Sequence, residues 1–207
     1  MFSGQLFPQK YHSFRFNMKQ PIVVTDMAKK IYSFLPKKTE TDIVLVCIGT
    51  DRSTGDSLGP LVGTKLLERG CKNFAVYGTL QEPVHAKNLE KTLMKIDATY
   101  QEPFIIGVDA CLGKSTSVGY MTVSDGPVRP GAAVNKQLPH VGDMHITGIV
   151  NVNGFMEMMV LQNTRLSLVI EMADIIARAL ARSSRWLETN PSWLVDTLEH
   201  EQRKEFS

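Results

Sequence analysis

Two uninterrupted apolar runs, DIVLVCIG at 42–49 and PFIIGVDAC at 103–111, limit what this chain can fold into. A strand that is apolar at nearly every position has no face to turn to water. It must be covered on both sides, as happens in parallel sheets flanked by helices. The segments around these runs have the matching pattern. LGPLVGTKLLERG reads as a helix closed by Gly70, FAVYGTL as a strand and HAKNLEKTLMKI as a helix, which makes β-α-β-α-β. Upstream, TDMAKKIYSFLP reads as a helix with Thr25 as its N-cap and Met27, Ile31 and Leu35 on one face. Downstream, SVGYMTV alternates like a strand and GIVNVNGFMEMMVLQN contains a helix. RLSLVIEMA is expected to open with a buried strand, and ADIIARALARSS to be a helix. The expected fold is α/β, a doubly wound and mostly parallel sheet.

With 207 residues, 43% of them apolar, the chain is long enough for one sizeable core. That core is expected over residues 21–185, with an N-terminal arm at 1–20 and a peripheral helix or tail at 186–207. A net charge of +2, with cations scattered among acids, gives no basic surface for nucleic acid. No run approaches the roughly 18 apolar residues of a membrane span, and the N-terminus has no apolar core of a secretory signal. Cys47, Cys71 and Cys111 are odd in number and lack CxxC spacing. They suggest neither a disulfide framework nor a structural zinc site, and fit a reducing cytoplasm.

In open α/β sheets, ligands bind beyond the carboxyl ends of the strands where strand order reverses. Applied here, the rule brings the loop after the first apolar run, with Asp51 and Asp56, to the same crevice as Asp109 at the end of the other run. Two carboxylates in one cleft can share a proton and activate water against a carbonyl, because like charges drive their proton affinities apart. Asp56 and Asp109 can equally hold a divalent metal, with His145 as third ligand. A plainer role for Asp56 is to cap the helix near Leu58. The loop IGTDRSTGDSLGP has neither GxxxxGK[ST] nor GxGxxG, and its acids repel phosphate, so it is not a nucleotide cradle.

TGDSLGPLVG, TLQEPVHAKNL, VDACLG, PGAAVNKQLPHVGDMHITGIVNVNGFME and LQNTRLSLVIEMA together resemble the YyaC-type sporulation proteins, over roughly residues 20–183. That family is similar to the germination protease of spores, which degrades small acid-soluble spore proteins, and to the hydrogenase maturation endopeptidases. The resemblance implies a three-layer, phosphorylase/hydrolase-like fold and an aspartate-based peptidase site. Asp56 in GDSLGP and Asp109 in VDAC match the two acids proposed for the germination protease. PGAAVNK resembles a segment of that protease and brings in Asn135 and Lys136, while His145 is the loose counterpart of a histidine in the endopeptidases. The implied setting is the cytoplasm of the forespore or spore core, with a protein or peptide substrate, small spore proteins among the candidates.

Lys136 near paired acids could hold one ionised or stabilise an oxyanion, whereas most loop lysines are solvated. Glu82 is expected at the same sheet edge, either assisting or capping the next helix. His85 is read as a first-turn residue, and His140 and His145 as loop residues. Cys111 shares a strand side with Asp109 and reads as a packing thiol. The leading expectation is a spore-associated peptidase using an Asp56–Asp109 pair and no cofactor. The alternatives are a catalytically silent peptide-binding or assembly factor, and a metal-dependent hydrolase. Oligomeric state stays open.

Overall fold

The computed structural model describes residues 11–36, 40–131 and 138–189. Six strands form one sheet: β1 (Ser13–Asn17), β2 (Ile43–Cys47), β3 (Phe74–Tyr77), β4 (Phe104–Gly113), β5 (Tyr120–Asp125) and β6 (Met144–Val152). Their order is β1-β5-β6-β4-β2-β3. The four strands β3, β2, β4 and β6 run parallel; at one edge β5 pairs antiparallel with β6, and β1 pairs antiparallel with β5. The helices are α1 (Val23–Phe34), α2 (Leu58–Glu68), α3 (Leu89–Thr99), α4 (Glu157–Gln162) and α5 (Leu166–Thr189). The result is the expected α/β/α arrangement with a mostly parallel sheet.

Every residue of β2 is buried, as its unbroken apolar run requires. Its two faces feed two separate clusters. Leu45 and Cys47 join Ile106, Val108, Met144 and Ile146 under α1, α2 and α5, while Val44, Val46 and Ile48 pack with Leu89 and Ile96 of α3. Fully burying a Leu or Ile of this kind contributes about 1.5–3 kcal/mol. Because α2 and α3 lie on opposite faces, the chain leaves β2 toward β3 and returns across β2 to β4. Strand order therefore reverses at β2, between its two neighbours.

Three elements differ from the sequence expectation. RLSLVI is no strand: it lies at the start of α5, whose buried Val169, Met172, Ala173, Ile176 and Leu180 recur at helical spacing. The alternation in MHITGIVNV belongs to a strand, β6, with Met144, Ile146, Gly148 and Val150 buried, and this puts His145 on a strand and not in a loop. Residues 13–17, within the span read as an arm, form the edge strand β1 against β5. Two boundaries also move. The first helix begins at Val23 with Ile22 at its N-cap, ahead of Thr25, and α5 continues past residue 185 to Thr189.

Candidate active site

The site is built where β2 stops and β4 does not. Cys47 is the last β2 residue in register, opposite Val108, and the Ile48 amide donates to the Val108 carbonyl at 2.7 Å. Asp109 is the next residue on β4. It has left β2 behind and keeps only Thr147 of β6 as a lateral neighbour. The residue is 8% exposed, and its Oδ1 accepts the Ala110 amide at 2.8 Å. Burial holds the Asp109 carboxyl well above the usual carboxylate range, the nearby charge of Asp56 raises it further, and the Ala110 amide lowers it.

Asp56 reaches the same place from the loop after β2. It sits in a single 3-10 turn, Gly55–Ser57, that leads into α2. Neither the turn nor α2 has a side-chain cap hydrogen bond, so the capping role considered for Asp56 is not the one it has here. Two glycines allow the close approach. Gly49 has φ +143°, and a Cβ there would lie 1.9 Å from the Asp56 carbonyl oxygen; that carbonyl accepts the Thr50 amide at 3.1 Å. A Cβ on Gly59 would lie 2.2 Å from the Ile48 carbonyl oxygen, so α2 starts directly against the end of β2. From the far side, a Cβ on Gly55 would lie 2.8 Å from the Leu161 Cδ2 and 2.9 Å from the Thr164 hydroxyl, and Asn151 of β6 donates to that hydroxyl at 3.1 Å. The turn is thus clamped between two strand ends. Burial raises the Asp56 carboxyl, and His85 and the Thr50 amide lower it.

His85 is the residue that the sequence reading undervalued. The segment before α3 takes the place of β3 beside the end of β2: Ile48 bridges Val84, and the Gly49 amide donates to the Val84 carbonyl at 2.8 Å. His85 is the next residue. Its Nδ1 accepts the Lys87 amide at 3.3 Å, which in the neutral ring leaves the proton on Nε2. The signal available in the sequence was position, since VH follows the second strand of a βαβαβ unit just as GD follows the first. His85→Ala should move the Asp56 titration to higher pH, because a group that lowers it is lost. Carboxyl carbon-13 NMR against pH would read this directly, and an unmoved Asp56 would exclude the coupling.

The other expected site residues are dispersed. His145 pairs with Gly107, two residues before Asp109 along β4, and its Nδ1 donates to the Gly126 carbonyl at 2.8 Å. It is thus set two positions back along the strands from Asp109, level with Val46 of β2, with its ring turned to Gly126. Among the described residues no three His, Cys, Asp or Glu side chains form a group able to hold a metal ion, so Asp56, Asp109 and His145 do not make a ligand set. Glu82 is exposed and does not cap α3; its backbone closes a turn with Thr79, and Asn88 takes the N-cap position. Asp51 is exposed at the loop surface. Burial pushes the Cys111 thiol up to about 11, which makes it a poor nucleophile, and the Thr147 hydroxyl hydrogen-bonds to it. Asn135 and Lys136 lie outside the described residues.

Fold and site together define an α/β/α protein with two carboxylates at the switch point, and its fold is similar to that of a hydrogenase maturation protease. The likeness is to the solved [NiFe] hydrogenase maturation protease HycI from Thermococcus kodakarensis KOD1. It has a TM-score of 0.52 at 20% identity and covers 75% of this chain and 98% of that one. The chain belongs to the family described as "Protein of unknown function (DUF1256)", matched over residues 15–179. It is 53% identical over 174 residues to "Uncharacterized protein YyaC" of Bacillus subtilis (strain 168), covering 81% of this chain and 85% of that protein.

Proposed function

We propose that the protein is a peptidase in which Asp56 and Asp109 activate water between them, acting on protein substrates of the sporulating cell. The observation that carries this reading is the acid pair at the switch point, a buried Asp109 whose carboxyl is raised further by the charge of a part-buried Asp56. Asp109 is the more strongly raised of the two, and Asp56 has His85 and the Thr50 amide favouring its ionised form. This asymmetry divides the roles.

Ionised Asp56 takes a proton from water as the water oxygen attacks the carbonyl carbon. Protonated Asp109 hydrogen-bonds to the carbonyl oxygen and gives it the proton as the tetrahedral diol forms. The Ala110 amide holds Asp109 Oδ1, which keeps the other oxygen for that proton. In the second step Asp56 passes its proton to the amide nitrogen, the C–N bond breaks, and the re-forming carbonyl returns a proton to Asp109. Both acids end as they began.

The likeness to a maturation protease and the family resemblance support a protein substrate, and the spore setting rests on the resemblance alone. The reading is tested by incubating spore-core proteins with wild type and with Asp109→Asn and comparing fragments by mass spectrometry. New fragments with wild type only are expected. Identical patterns would favour a silent peptide-binding factor that keeps the fold.

A further inference from the structure

β3 is the outermost strand of the parallel end of the sheet, and among the described residues no strand pairs with its free side. An edge of this kind exposes a row of main-chain N–H and C=O groups, which proteins usually cover or blunt. Here it is walled but open. A cavity of about 850 Å³ follows the edge, lined by the consecutive residues Ala75, Val76, Tyr77 and Gly78, with Leu67 of α2 on one side and Lys95 of α3 on the other. Consecutive lining residues mean that the floor is the strand's own edge, since alternate side chains point to opposite faces.

The walls are suited to a chain with side chains. Leu67 is 50% exposed and lines the groove. The Tyr77 and Tyr100 rings meet edge to face at 6.5 Å, and the Lys95 ammonium lies 5.8 Å from the Tyr77 ring centre. The same cavity reaches Val84 and His85, and so borders the segment that adjoins Asp56.

We infer that the open edge of β3 is a docking strand for an extended segment of an unfolded polypeptide, which adds to the sheet as a further parallel or antiparallel strand. Only an extended main chain matches donors and acceptors at strand spacing, and such recognition tolerates varied sequence. The inference rests on the peptidase reading for its consequence. A segment beside β3 stands three strand spacings from β4, about 14 Å, which roughly four extended residues cover. The docked segment therefore lies some four residues from the bond presented to Asp109, and the chain crosses the sheet edge at His85.

The test uses Asp109→Asn, which holds a chain without cutting it, and β-casein as an unfolded probe. Hydrogen exchange at the Ala75–Tyr77 amides should slow at least about fivefold when casein is bound. Leu67→Trp, placed in the same background to plug the groove from an exposed position, should weaken casein binding about tenfold by fluorescence anisotropy. Failure of casein to bind overturns the proposal, as does binding that leaves these amides unchanged and ignores the plug. Protection that grows with protein concentration in the absence of casein assigns the edge to a second copy and overturns it as well. Protection by casein without cleavage by the wild type would remove the peptidase reading and leave the docking strand standing, so the two fail separately.

Discussion

Asp109→Asn should abolish peptide cleavage, with a loss of about a thousandfold or more, and should make the folded protein more stable at neutral pH. The first effect follows from removing the shared proton. The second follows from the sign of the shift. Asp109 binds its proton more tightly in the folded chain than in the unfolded one, because burial and Asp56 both disfavour the charge. The folded state carries no penalty at low pH, where both states are protonated, and loses stability as pH rises from the unfolded value near 3.9 through the folded one. Asn imitates the protonated acid at every pH, and its carbonyl oxygen can still accept the Ala110 amide. The midpoint of thermal unfolding should match wild type near pH 3 and exceed it near pH 7. A gain on the order of 1 kcal/mol corresponds to about 2–4 °C in a chain of this size. A variant less stable than wild type at neutral pH, with the gap unchanged at pH 3, would show that Asp109 is structural and already paired.

Gly49→Ala should cost about 3 kcal/mol or more and displace Asp56 without touching it. The added Cβ meets the Asp56 carbonyl oxygen at 1.9 Å and the Pro60 Cδ at 3.0 Å, both fixed by the start of α2, and φ +143° is strained for any L side chain. The turn must move, and the Thr50–Asp56 backbone hydrogen bond goes with it. Gly70→Ala is the control. Gly70 also has positive φ, at +67°, but a Cβ there meets nothing within 4 Å, so only the left-handed strain of about 1–2 kcal/mol remains. Urea unfolding of both variants separates clash from strain. Equal losses would mean that the loop yields freely and that the glycine does not set the position of Asp56.

Much of the fold was readable because β2 and β4 are apolar throughout, and a strand with no polar face has few environments open to it. RLSLVI, short and β-branched, suits a strand or a buried helix equally until Met172, Ala173 and Ile176 extend the helical spacing. MHITGIVNV hid its alternation behind Gly148, which stands at a buried position because a Cβ there would meet the Leu58 Cδ2 at 2.5 Å. The site was legible in part for a similar reason. A topological rule places any residue that follows a strand of this sheet, and Asp56 and Asp109 both follow strands. His145 misled because its strand was not recognised; it lies two positions back from Thr147, the β6 neighbour of Asp109, and its ring is bonded to the Gly126 carbonyl.

What the chain order determined by itself was the alternation of strand and helix, the reversal point at β2, and hence the edge at which chemistry can occur. These depend on local periodicity, which neighbouring residues carry among themselves. What only the tertiary structure decided was the environment of each group: that Asp109 is buried and one step past the end of β2, that Asp56 bears on it, that His85 comes beside Asp56, and that β3 is the outermost strand of the sheet among the described residues. Each of these depends on desolvation and on contacts between segments remote in sequence, and no short stretch of residues contains that information.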